Sequence, residues 1–156
     1  MSALSPEVLG DVLARTLEEA AFVFAESTVA PPPHDDALVE ARLAYVGAHR
    51  GELALAAPAS LAATFAANLL GEDEGGAETT GDDEDAVGEI LNMVAGALVV
   101  ELFGADAPTR LGVPRVRRIS AEEHARALRG AAAVATLVEE EGRRVDLSAE
   151  VLGSAR

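Results

Sequence analysis

Between residues 39 and 45 the chain alternates: Val39, Ala41, Leu43 and Tyr45 are apolar, while Glu40 and Arg42 between them are charged. That is the period of a strand with one buried face. Residues 47–51 then supply turn chemistry, and residues 52–57 read as the returning strand. A hairpin of this kind commits the fold to antiparallel pairing, because parallel strands need a much longer crossover. Residues 132–140 and 143–147 form a second expected hairpin around Glu141 and Gly142, and residues 113–119 make one more strand.

Helical periods lie between these hairpins. Ser5, Pro6 and Glu7 carry the chemistry of a helix start, followed by Val8, Leu9, Val12, Leu13, Leu17, Ala20 and Phe24 through about residue 25. Residues 27–36, with three consecutive prolines, must be a connector. Pro58 opens a second helix over residues 59–70, closed by Gly71. Residues 72–85 hold eight acids among Gly, Ala and Thr, the pattern of a solvated loop. From about residue 83 a long helix runs to Phe103, and residues 121–129 form a short one. Helices grouped between hairpins predict an α+β fold, a largely antiparallel β-sheet with helices packed against it, as one domain over residues 1–156.

Composition removes many functions. The net charge is −15, and all 12 basic residues are Arg. Such a chain is a poor ligand for a phosphate backbone, so no nucleic-acid partner is expected. No Cys is present, which excludes disulfides and thiolate chemistry; no Lys is present, which excludes a phosphate-binding loop ending in Lys. A Gly-x-Ser-x-Gly elbow is also missing. No run of about 18 apolar residues is free of charge, and the first residues lack a secretory pattern, so a cytoplasmic protein without a membrane partner is expected. His34, His49 and His124 are dispersed along the sequence, and no metal ligand set is expected. Arg115 and Arg117 would share one strand face as a solvated or ion-paired edge.

The long helix carries the chemistry. At 100° per residue, Val87, Leu91, Val94 and Leu98 gather on the core side, with Asp85, Glu89, Asn92 and Gly96 opposite. A carboxylate and a carboxamide therefore share one ridge, a turn apart. Glu89 would also complement the helix dipole, and Gly96 would also suit a helix contact. Asn92 is a poor helix former and lies too deep to act as a cap.

The string Asp85-x-x-x-Glu89-Ile90-Leu91-Asn92-Met93-Val94-Ala95-Gly96, with Pro114 following Asn92 by 22 positions, resembles the signature of the CheC/CheX/FliY chemotaxis phosphatases. The hairpin strand at 51–55, the helix from Pro58 to Gly71 and the acidic stretch are similar too, so the resemblance spans roughly residues 38–147. It implies hydrolysis of the aspartyl phosphate of a CheY-like response-regulator receiver domain. Asn92 would orient the attacking water, and Glu89 would pair with the receiver's lysine. The chain would have no cofactor of its own, with Mg²⁺ on the receiver substrate. Asp85, Gly96 and Pro114 would support the motif. The first helix has no Asn, and Asn68 has Phe65 in place of a Glu, which is similar to the CheX type with one site per chain. CheX-like proteins form homodimers through edge strands, so a homodimer is expected. The alternative from a different class is a non-catalytic receiver-binding or dimerisation module.

Overall fold

The computed structural model describes residues 3–34, 37–70 and 82–154. Its elements run α1 (Pro6–Ala21), β1 (Ala25–Ser27), β2 (Leu38–Val46), β3 (His49–Pro58), α2 (Ala59–Leu70), α3 (Asp82–Phe103), β4 (Arg110–Leu111), β5 (Arg115–Ile119), α4 (Ala121–Arg129), β6 (Ala133–Glu139) and β7 (Arg144–Ser154). The strands form one antiparallel sheet in the order β1-β6-β7-β3-β2-β4, with β5 also pairing β2 on the β4 side. The α+β expectation therefore holds. Gly71 and the acids at 72–81 lie outside the described residues.

One face of the sheet makes the main core. Val39, Ala41, Leu43, Leu53, Leu55, Val145 and Leu147 are buried there with Leu9, Leu13 and Leu17 of α1, Phe65 of α2, and Val87, Ile90, Leu91, Val94 and Leu98 of α3. By length and composition α3 would pass for a membrane span. Half of it is instead enclosed by α1, α2, β2 and β3, as befits the central helix of a packed core.

Several boundaries differ from expectation. Helix α1 stops at Ala21 and does not reach residue 25, because Phe22 takes left-handed dihedrals (φ 55°) and its N–H caps the Leu17 carbonyl. Phe24 is consequently exposed, and the three-residue strand β1, too short to carry a period, ends at Ser27, where the expected connector begins. The hairpin turn is tighter than 47–51: β3 already starts at His49, and Pro58 ends that strand where a helix start was expected. Asp82 to Asp85 form the first turn of α3 and are not part of a loop, their charges lying at the positive end of the helix dipole. The segment 113–119 divides: β4 precedes it, and β5 begins only at Arg115. Strand β7 extends seven residues past Leu147, because the full length of β3 supplies its hydrogen-bonding partner.

The opposite face of the sheet is polar. Glu40, almost completely buried, accepts from Arg42 at 2.9 Å and Arg117 at 3.2 Å, while Glu52 accepts from Arg42 and Arg115. The strict alternation at 39–45 thus holds in direction only: Glu40 faces away from the helices yet is closed off from water by its two arginines. This is the ion-paired face expected for Arg115 and Arg117.

Candidate active site on the exposed ridge of α3

Helix α3 is amphipathic because its apolar residues recur on the stripe that meets the sheet, and the ridge on its other side faces solvent. Asp85, Glu89 and Asn92 are exposed there, and Gly96 is half-buried a turn further on. A Cβ added to Gly96 would meet nothing within 4 Å, so that glycine is not a helix contact within the described residues. It leaves the ridge without bulk beyond the carboxamide.

The chain's two asparagines are in different situations. Asn68 of α2 donates to the Ala21 carbonyl at 2.6 Å, tying α2 to the C-terminus of α1. The Asn92 side chain makes no hydrogen bond, and the Glu89 and Asp85 carboxylates make neither hydrogen bond nor ion pair, among the described residues. A partnerless carboxamide in a helix interior lowers helix propensity and adds no internal contact. Both of its hydrogen-bonding ends remain free for something outside the chain.

Tertiary structure adds a second wall. Residues 112–114, between β4 and β5, run beside the ridge, so that Asp85, Glu89, Asn92, Gly112, Val113 and Pro114 line an open groove of about 460 Å³. Pro114 lines the groove with the ridge residues; Gly96 lies outside the groove lining. Val113 is 84% exposed on the rim. On the near side Arg118 of β5 donates to Glu84 at 3.2 Å, pinning β5 to the first turn of α3. Sequence reasoning missed Gly88 and Val113. Gly88 sits inside the signature string, and only its contact with the wall distinguishes it.

The histidines also depart from expectation. His34 and His124 are not dispersed in space: both Nε2 atoms lie against one Asp146 oxygen, at 2.5 and 2.7 Å. Thr136 donates to the other oxygen at 2.6 Å and Arg144 at 3.1 Å. These are ligand types a transition metal takes, and the three residues are close enough to be considered for one. The oxygen between the rings is already engaged by both, however, and a guanidinium holds its neighbour, so a cation would have to break a satisfied network. The Nδ1 of His124 is buried without a partner among the described residues, so a proton there would be a buried unpaired donor, whereas one on Nε2 meets the Asp146 carboxylate. Burial by itself would raise the Asp146 carboxyl; the hydrogen bonds from His124, His34 and Thr136 and the Arg144 charge outweigh it and hold the group well below the usual carboxylate range. This network lies on the polar sheet face, across the sheet from the ridge. His49 stands apart, stacked on Phe103.

The family model for chemotaxis phosphatase CheX matches residues 39–137. No curated protein matches the chain in sequence. Among solved structures, the chemotaxis protein CheX of Desulfovibrio desulfuricans superposes with a TM-score of 0.67 at 15% identity, covering 93% of this chain and 97% of that one. CheX of Vibrio vulnificus gives 0.65 at 20% identity over 95% and 100%. The Borrelia burgdorferi CheX–CheY–BeF₃–Mg²⁺ complex gives 0.65 at 15% identity over 93% and 96%.

Proposed function

This chain belongs to the CheX family of chemotaxis phosphatases, and on that premise we propose that it hydrolyses the aspartyl phosphate of a CheY-like receiver domain, using Glu89 and Asn92. The observation that carries this reading is the pairing of an exposed carboxamide with an exposed carboxylate one turn apart, neither engaged within the described residues. Such a pair is idle in the free protein and useful only against a partner.

The chemistry follows from what each group can do. A water oxygen attacks phosphorus, the bond from phosphorus to the receiver's aspartate oxygen breaks, and the products are free carboxylate and phosphate. Such transfer depends on in-line placement and charge stabilisation, with little covalent work for the protein. The Asn92 amide accepts from the water and orients it, and being neutral it does not repel the phosphoryl oxygens. The Glu89 carboxylate suits the receiver's lysine, fixing the two proteins in register. Mg²⁺ belongs to the receiver; in the Borrelia relative the complex with CheY contains it. Asp85 and Pro114 frame the groove, and Gly96 leaves room for the approach. Asn68 is engaged inside the protein, consistent with one site per chain.

Assembly as a homodimer in the cytoplasm belongs to the same proposal. Strand β1 covers β6 only at Leu137–Glu139, so among the described strands none pairs with the outer side of residues 133–136. An uncovered edge of this kind invites a second copy.

The test is phosphate release from a phosphorylated CheY-like receiver. Asn92→Ala, folded by circular dichroism, should lose roughly a hundredfold in rate while still binding the receiver, a typical size for a water-orienting group. Asn92→Asp should be at least as slow, and Glu89→Ala should weaken both binding and rate. Near-wild-type turnover by folded Asn92→Ala would remove the catalytic reading and leave a receiver-binding module.

A further inference from the structure

We infer that Gly88 is a positioning residue for this site, holding the wall formed by residues 112–114 against α3 and thereby setting the groove beside Asn92. The inference rests on the phosphatase reading and adds a residue to it.

Glycine is a poor choice inside a helix, because it has the most backbone freedom to lose and contributes no side chain to the core. Helix α3 has two, and they are not equivalent. Gly96 faces open space. Gly88 is buried, and a Cβ built there would lie 3.1 Å from Val116 Cγ2 and 3.5 Å from Pro114 Cβ. The first distance is too short for a comfortable methyl contact, so one side would have to yield by a few tenths of an ångström.

The neighbours differ in how freely they can move. Val116 is the second residue of β5, paired with Ala41 next to the end of the ladder with β2, while Arg118 ties the far end of β5 to Glu84. Pro114 lies outside any ladder, in the three-residue connection from β4. That connection is held at its start, where the Gly112 N–H donates to the Ala44 carbonyl at 2.8 Å. A methyl at position 88 that pushes Val116 away therefore moves this end of β5, and Pro114 and Val113, which lead into it and line the groove with Asn92 and Glu89, move with it. A receiver seated on that wall would carry its phosphoryl group off the line set by the carboxamide. Placement errors well under an ångström matter to in-line transfer.

The role moves activity more than stability, which a purely structural role does not. In Gly88→Ala the gain in helix propensity offsets part of the crowding, so its melting temperature should stay within a few degrees of wild type. Its phosphate release from a phosphorylated CheY-like receiver should fall roughly tenfold. Val116→Ala removes the methyl that the new side chain meets, so Gly88→Ala/Val116→Ala should recover to within about threefold of Val116→Ala alone, by relief of that contact. If Gly88→Ala does not fold, the double variant carries the test, because it lacks the crowding. Release by Gly88→Ala within twofold of wild type, or a folded double variant as slow as Gly88→Ala, overturns the inference. Wild type and Asn92→Ala are run in the same assay. Absence of release by wild type overturns both readings; release that is lost in Asn92→Ala but intact in Gly88→Ala overturns this one alone.

Discussion

Asp146→Asn tests the network on the polar face of the sheet. The wild-type carboxylate is fully buried and serves four groups: His34, His124, Thr136 and Arg144. Asparagine fits the space, and its oxygen can still accept from Thr136. Its amide would present N–H groups to the two imidazoles, which must then accept on Nε2 and carry their proton on Nδ1. For His124 that proton would be buried without an acceptor, because its Nδ1 has no partner among the described residues. Arg144, only 19% exposed, would also lose its counter-charge. Removing one member of a buried ion pair costs about 3–5 kcal/mol, and the partial exposure of Arg144 puts this case near 3. For a chain of this length that corresponds to a melting temperature lower by roughly 6–12 °C.

The pH dependence has a definite sign. A carboxyl depressed in the folded state stabilises above its unfolded pKa and loses that contribution as the pH falls below it. The gap between wild type and Asp146→Asn should therefore be full at pH 7 and shrink as the pH drops below about 4, the ordinary value for Asp. Thermal melts by circular dichroism from pH 7 to pH 3 read both quantities. A shift under about 2 °C at pH 7, or a gap unchanged down to pH 3, would refute the reasoning. Phosphate release per folded molecule should be unaffected, since the network and the α3 ridge lie on different faces of the sheet.

Two further outcomes are expected. Asn68→Ala should lose about 1 kcal/mol through the missing bond to the Ala21 carbonyl, lowering the melting temperature by a few degrees, and should keep phosphatase activity. Light scattering at high micromolar concentration should give twice the 16.0 kDa chain mass, and a monomeric mass would remove the edge-pairing proposal.

Much of this protein is readable from local periodicity. Alternation at 39–45 and the return at 52–57 specify a hairpin, because a half-buried strand must place every second side chain in the core. The 3.6-residue period of α3 likewise separates Val87, Leu91, Val94 and Leu98 from Asp85, Glu89 and Asn92, and the structure buries the first set and exposes the second. Both follow from spacing within one element, so the sequence alone determines them. Element ends were less legible. The left-handed Phe22 that stops α1 and the extension of β7 along β3 depend on backbone conformation and on a distant partner.

What only the tertiary structure decides is which distant residues meet. Locally Asn68 and Asn92 differ in the residue three places before them, Phe65 or Glu89, but only the fold bonds Asn68 to a helix end 47 residues earlier and leaves the Asn92 side chain free among the described residues. His34, His124 and Asp146 look unrelated in sequence because their meeting requires the connector after β1, α4 and β7 to converge on one sheet face. Gly88 lies about 80° from Gly96 on the helical wheel, but only the path of the chain through Pro114 and Val116 gives Gly88 a neighbour. Spacing fixes where a side chain points along its own element. The company it keeps across the sheet is set by topology and register, which the alternation of a single segment does not encode.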